Sequence, residues 1–261
     1  MPLERSRESR DQAAAETPHA GGPSAVTRGV ARPLLGPSPP LSLMVPGVLT
    51  PDECARMTSA VYAARDDWNA DFDGAQFSLG RAFYTHLESD RSDAYFAGAS
   101  ESDALVLRTL PGMQAFMRTL CATLTGGHAK PRRGWCGAGV HVFPAGGLVA
   151  RKGGVRHFDV EGLNERQTQA RRAALSIVVM LQTPERGGGL RLWDARYHGH
   201  EHATRADTQT RSELCSYETG GVLVMDSYRL HQIEAFTGAR DRVSITLHAA
   251  EIDPGVWETW F

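Results

Sequence analysis

His157 and Asp159, in the run R-H-F-D-V, and a more distant histidine, His231, are residue types that could hold one metal ion between them. On a strand, residues i and i+2 point to the same face, so the His157 imidazole and the Asp159 carboxylate can converge. His231 follows the apolar run G-G-V-L-V-M-D and a short turn, where the end of another strand could deliver a third ligand. Two imidazoles and one carboxylate on one face of a metal leave neighbouring positions open, the arrangement of non-haem iron(II) sites. Further along, R-V-S puts Arg242 and Ser244 on one face of a strand whose Val243, Ile245 and Leu247 point the other way. An arginine fork matches the two oxygens of a carboxylate, and a serine hydroxyl two residues on can donate a further bond. A metal and a carboxylate anchor in one pocket would together hold a dicarboxylic small molecule.

A competing set lies in Y-H-G-H-E-H at 197–202, where His198, His200 and His202 alternate. On a strand they too could share a metal. The irregular polar stretch A-T-R-A-D-T-Q-T-R that follows favours a solvated loop instead.

Bringing His157, Asp159 and His231 to one point requires several strands, and the second half of the chain supplies them. G-V-H-V-F, A-L-S-I-V-V-M-L, G-L-R-L-W, G-V-L-V-M and R-V-S-I-T-L-H are apolar or alternating runs separated by turn residues. Two helices precede them. Thr50, Pro51 and Glu53 supply an N-cap oxygen, a first-position proline and a capping-box acid, which start a helix expected to run to about Trp68. After Pro111, the residues Met113, Phe116, Met117, Leu120, Cys121 and Leu124 fall on one helical face, and Gly126-Gly127 ends it. Residues 69–100 lack a clear period and are expected to be long loops and short strands, long enough for a lid. Two helices and then a run of strands argue for a mainly β protein with flanking helices on a sandwich or barrel.

The balance of 28 Lys and Arg against 30 Asp and Glu gives a net charge of −2, which is not the footprint of a nucleic-acid binder. No run approaches the length of a membrane span, and the first residues lack the apolar core of a secretory signal. Cys54, Cys121, Cys136 and Cys215 have no C-x-x-C spacing and read as small buried residues of a reducing, cytoplasmic protein. Residues 1–39, rich in Ala, Gly, Pro and Ser, are expected to be a disordered tail before a single domain over 40–261.

The order H-F-D at 157–159, His231 and R-V-S at 242–244 resembles the Fe(II)/2-oxoglutarate-dependent dioxygenases, most of all their prolyl-4-hydroxylase-like branch. P-G-V-L-T-P-D-E-C at 46–54 and P-E-R-G-G-G-L-R-L-W at 184–193 add to the likeness, which spans about 46 to 250. The resemblance implies a double-stranded β-helix (a jelly roll, cupin-like core) with Fe(II) held by His157, Asp159 and His231. It also implies 2-oxoglutarate anchored on Arg242 and Ser244, O2 as oxidant, and hydroxylation of an unactivated C–H bond. Collagen-type members of the branch carry a lysine where this chain has Arg242, and many carry a tyrosine where it has Phe143, which cannot donate a hydrogen bond. The loop G-G-L-V-A-R-K-G-G-V-R before His157 is also longer than usual. Halogenases of the superfamily replace the carboxylate ligand by a small residue, so Asp159 favours hydroxylation.

Desaturation, cyclisation and peptidyl hydroxylation would use the same ligands. A cupin-like metal protein built on His198, His200 and His202 is the alternative of another kind. Trp193 and Arg191, on the strand after the glycine run, and Tyr84, His86, His141 and Tyr228 are candidate substrate contacts. The expected substrate is a small, polar, amino-acid-like molecule or natural product.

Overall fold

A computed structural model describes residues 26–36, 39–200 and 202–261. Strand β1 (Ser42–Val45) leads into helix α1 (Pro51–Ala63). The helix starts as its capping signals require, with Thr50 Oγ1 accepting from the Glu53 N–H and the Glu53 carboxylate accepting from the Thr50 N–H. It ends before the expected Trp68, because the chain tightens into a 3-10 turn at Arg65–Asp67. The Trp68 indole then donates to the Val61 carbonyl at 3.0 Å, satisfying one of the acceptors a helix end leaves open.

Residues 69–100 hold more helix than expected. Strands β2 (Asn69–Asp71) and β3 (Gln76–Leu79) are followed by α2 (Phe83–Leu87), α3 (Ser92–Ala97) and the start of α4 (Ala99–Thr109). These helices bury few large apolar residues each, so they left little periodic signal. Helix α5 (Met113–Thr125) buries the face read from its spacing, and Gly126 closes it at φ 71°. Strand β4 (His128–Pro131) and strand β5 (Gly139–Phe143) come next, then the short helices α6 (Leu148–Lys152) and α7 (Glu165–Gln169). The remainder is β6 (Ala174–Gln182), β7 (Arg186–Gly187), β8 (Leu190–Arg196), β9 (Ser212–Cys215), β10 (Val222–Asp226), β11 (Arg229–Ile233), β12 (Phe236–Thr237), β13 (Arg242–Asp253) and β14 (Val256–Trp260).

The larger sheet runs β1-β10-β6-β13-β5-β3-β2, with β14 joining β13 to β4, and the smaller runs β11-β8-β9. An isolated antiparallel bridge between His157 and His231 adds the 157 segment beside β11. From β5 onward the chain thus passes repeatedly between two facing sheets, which is the winding of a double-stranded β-helix. Leu190 and Leu192 of the smaller sheet pack with Leu223 and Met225 of the larger one, closing the barrel.

Strand alternation sorts β13 between two layers. Val243, Ile245 and Leu247 are buried against the helical layer with Met117, Leu120 and Leu124 of α5. Each such side chain contributes about 1.5–3 kcal/mol on burial. A slip of one residue would turn Arg242 and Ser244 into that apolar layer, so the core fixes which residues face the barrel interior.

Of the tail expected over 1–39, residues 1–25 and 37–38 lie outside the described residues. Residues 26–36 differ from that expectation. Val26, Ala31 and Leu34 are buried in the main core, and Gly29 and Ala31 donate backbone bonds to Thr123 and Leu124 of α5. All four cysteines are free and buried. No helix among the described residues is long and apolar enough to cross a membrane.

Candidate active site

His157 and His231 exchange both backbone hydrogen bonds, at 3.1 and 3.0 Å, so their rings stand side by side with centroids 4.2 Å apart. Asp159, two residues on and held by its N–H to the Ser227 carbonyl, shares the face of His157. Phe158 between them points the other way, into a cluster with Trp193, Ala195 and Leu230. The side chains therefore meet as the strand spacing requires. Asp159 Oδ1 lies 3.4 Å from Nε2 of each histidine. One ligand atom from each of the three residues lies within 4.8 Å of the others, the one such grouping among the described residues.

The tautomers suit a metal. His157 Nδ1 bonds the Val155 carbonyl at 2.9 Å and His231 Nδ1 bonds the Arg229 carbonyl at 3.0 Å. Carbonyls only accept, so each Nδ1 carries the proton and each Nε2 can turn its lone pair to a shared ion. Burial would raise Asp159, but the charge of His231 and the bonds from both histidines hold it well below the usual carboxylate range. Burial would lower His157, yet the bond to Asp159 and its charge push it up to about 9, so without an ion its Nε2 carries a proton that a bound metal displaces. A divalent ion between bonds of about 2.0–2.2 Å would stand where these groups now face one another.

The second oxygen of Asp159 is tied down separately. Ser176 on β6 donates to Oδ2 at 2.5 Å, and its hydroxyl lies 3.0 Å from Ser227 Oγ and 3.2 Å from His248 Nδ1. Engaged in this way, Oδ2 leaves Oδ1 as the carboxylate's single ligand atom. Ser176→Ala is expected to weaken Fe(II) or Mn(II) affinity about 10–100-fold, the usual effect of losing an outer partner of a ligand. Metal titration against an unchanged circular-dichroism spectrum reads this; equal affinity in the variant would show that Ser176 does not orient the carboxylate.

Arg242 and Ser244 face the same cavity, of about 370 Å³. Arg242 is 2% exposed. Its Nε donates to the Gly188 carbonyl at 3.2 Å and its Nη1 to Ser244 Oγ at 3.3 Å, while the guanidinium lies 4.9 Å from the Tyr217 ring and 5.3 Å from that of Phe143. Among the described residues no carboxylate pairs with it. The Tyr217 hydroxyl in the same lining is buried without a hydrogen-bond partner.

Tyr84 and His141 also line the cavity, as the sequence suggested; Gln76, which reasoning from sequence missed, joins them and donates to the Tyr84 hydroxyl at 2.5 Å. His141 Nδ1 is buried and unpartnered. Burial, then the charges of His248 and Arg242, push His141 down to about 3, so its imidazole is neutral.

Trp193 and Arg191 do not reach the site. On β8 it is Leu190 and Leu192 that turn inward; Trp193 packs outside with Phe158, and Arg191 pairs with Glu234. His86 bonds the Ala82 carbonyl, and the Tyr228 hydroxyl donates to that of Gln167; neither lines the cavity. His198 sits 3.4 Å from Asp207, and its ring is 5.5 Å from that of His200, outside the metal-competent group. Ser176, His248 and Tyr217 were also missed. Of these only His248 had a signal, since it continues the alternation 242, 244, 246, 248.

No family model matches the sequence, and no curated protein does. Solved structures do. A non-haem alpha-ketoglutarate-dependent carbocyclase, SnoK, from nogalamycin biosynthesis is 17% identical over 89% of this chain and 87% of its own, with a TM-score of 0.57. An N-substituted L-amino acid dioxygenase from Burkholderia ambifaria is 15% identical over 84% and 86%, with a TM-score of 0.54. The non-haem alpha-ketoglutarate-dependent epimerase SnoN is 16% identical over 85% of each chain, with a TM-score of 0.51. The chain thus has the jelly-roll fold of the non-haem iron, alpha-ketoglutarate-dependent enzymes.

Proposed function

We propose that the protein is a non-haem iron oxygenase that couples the oxidative decarboxylation of 2-oxoglutarate to oxidation of a C–H bond in a small molecule. The observation that carries this reading is Arg242, a buried guanidinium with no carboxylate partner, in one cavity with His157, Asp159 and His231. A buried cation without an anion is costly, so the site is built to receive one. A metal group alone would fit many proteins; a metal group facing a buried guanidinium that no protein carboxylate neutralises among the described residues fits a keto diacid held at both ends.

In this reading His157, Asp159 and His231 hold Fe(II), and Arg242 and Ser244 hold the far carboxylate of 2-oxoglutarate. The buried Tyr217 hydroxyl supplies the polar contact that Phe143 cannot. Bound iron supplies the activation of O2 and the oxidation of the C–H bond. The apolar walls from Val149, Val178, Leu190 and Ile233 keep water from the reacting atoms. The complete ligand set, with Asp159 in place, favours hydroxylation. A carbocyclase and an epimerase share the fold, so ring closure or inversion at the attacked carbon is the second reading, and product analysis separates them.

Anaerobic titration tests the core of this. Fe(II) is expected to bind one per chain, 2-oxoglutarate to bind only to the metal-loaded protein, and succinate to form on admitting O2. Keto-acid binding that is indifferent to metal would overturn the reading.

A further inference from the structure

We propose that the substrate carries no carboxylate or phosphate of its own: it is an apolar body bearing an alcohol or amide group that docks on Tyr84, Gln76 and His141. This rests on the reading of the cavity as an iron and 2-oxoglutarate site, and narrows its substrate.

Charge comes first. Among the described residues that line the cavity, Arg242 is the one guanidinium or ammonium. A divalent metal and Arg242 are balanced by Asp159 and the two carboxylates of the cosubstrate, so these groups leave no positive charge over for an anionic substrate. An anionic substrate would then be buried with no counter-charge, which costs far more than its hydrogen bonds return. A free amino acid brings its own carboxylate and meets the same objection, so this inference departs from the amino-acid-like substrate expected from sequence.

Hydrogen bonding comes second. One wall of the cavity carries Gln76 of β3, Tyr84 of α2 and His141 of β5, with His141 opposite Ser244 in the β5–β13 pair. Tyr84 accepts its bond from the Gln76 amide, which leaves its own O–H free to donate. His141, 5% exposed, has a buried Nδ1 without a partner, and as a neutral ring it offers one donor and one acceptor. Buried polar atoms are normally satisfied, so an orphan beside a ready donor marks a place for a ligand group. Donors and acceptors without charge match an alcohol or an amide.

The rim is the third part. Phe72, Leu148 and Val155 line the cavity yet are 38%, 44% and 81% exposed. Phe72 sits on a left-handed turn with Asp73, at φ of 49° and 55°, Leu148 opens the glycine-flanked helix α6, and Val155 follows the Gly153-Gly154 pair after it. Exposed apolar side chains gathered at a pocket mouth mark the contact for an apolar body. The cavity is near the small end of the range for ligand pockets, about 300–1,000 Å³, and is shared with the cosubstrate.

The test uses the protein loaded with Mn(II) and saturating 2-oxoglutarate, so that Arg242 is occupied, and compares benzamide, benzyl alcohol and benzoate by ligand-observed NMR. The two neutral probes are expected to bind, and benzoate at least about tenfold more weakly. Tyr84→Phe, which removes only the hydroxyl, is expected to weaken benzamide about 3–10-fold. Benzoate binding as tightly as benzamide, indifference of benzamide to Tyr84→Phe, or no binding of either neutral probe at millimolar concentration would each overturn the inference. A probe-free titration of metal and 2-oxoglutarate runs alongside. Its failure would instead overturn the proposed function, and this narrowing with it.

Discussion

His231→Ala is expected to abolish metal binding in the micromolar range and to lower succinate formation at least about 10³-fold, since even outer partners of a ligand cost 10–100-fold. His231 is 3% exposed, its ring set by the Arg229 carbonyl and its backbone paired with His157. Its loss leaves two ligand atoms, His157 Nε2 and Asp159 Oδ1, too few to hold a divalent ion against water. The backbone bonds to His157 do not involve the side chain, so the fold and its circular-dichroism spectrum should survive. Replacing His198, His200 and His202 together is the matched control, expected to leave metal stoichiometry and succinate formation unchanged. The opposite pattern, metal lost with the cluster but kept in His231→Ala, would put the cupin-like alternative ahead of the iron oxygenase.

How much of this was legible in the sequence depended on whether one residue's position fixed its neighbour's. His157 and Asp159 were readable because a strand forces i and i+2 to one face, and Arg242 and Ser244 for the same reason. Strands β5, β6, β8, β10 and β13 were readable because their apolar runs are buried on at least one side, whereas β9, exposed but for Cys215, and β11 and β14 were not read. Phase was harder where both faces are apolar. Along G-L-R-L-W, Leu190, Leu192 and Trp193 are all buried, so periodicity alone did not say that the leucines face the barrel interior and Trp193 the outside. Helix α4 left only Ala99, Ser102 and Val106 as its buried face, too weak a stripe to see. Tyr217 lies between β9 and β10 outside any periodic element, and Ser176 is one residue of a continuous apolar run. Their places are set by tertiary packing, which no local pattern records.

Arg242→Met is expected to raise the concentration of 2-oxoglutarate needed for half-maximal succinate formation about 10²–10³-fold while metal affinity stays as it was. Hydrogen bonds to a charged group contribute about 1.5–3 kcal/mol each, and the anchor offers a carboxylate at least the guanidinium and Ser244. Stability should move the other way, or not at all. In the protein without cosubstrate the buried guanidinium has bonds to Gly188 and Ser244 but no anion, and replacing a buried charge by an apolar side chain of similar size is often neutral or stabilising by 1–4 kcal/mol. At this chain length each kcal/mol shifts the melting temperature by about 2–4 °C, so the variant should melt level with the parent or a few degrees above it. Adding 2-oxoglutarate and Mn(II) should then raise the parent's melting point and leave the variant's nearly where the metal alone puts it. Arg242→Lys, a point charge without the planar fork, should recover only part of the affinity. A variant that melts well below the parent would mean that Arg242 serves Gly188 and Ser244 as a structural tie. Unchanged 2-oxoglutarate affinity would mean that the cavity's carboxylate anchor lies elsewhere. Only weak cosubstrate binding together with undiminished stability fits a cation kept buried for a ligand.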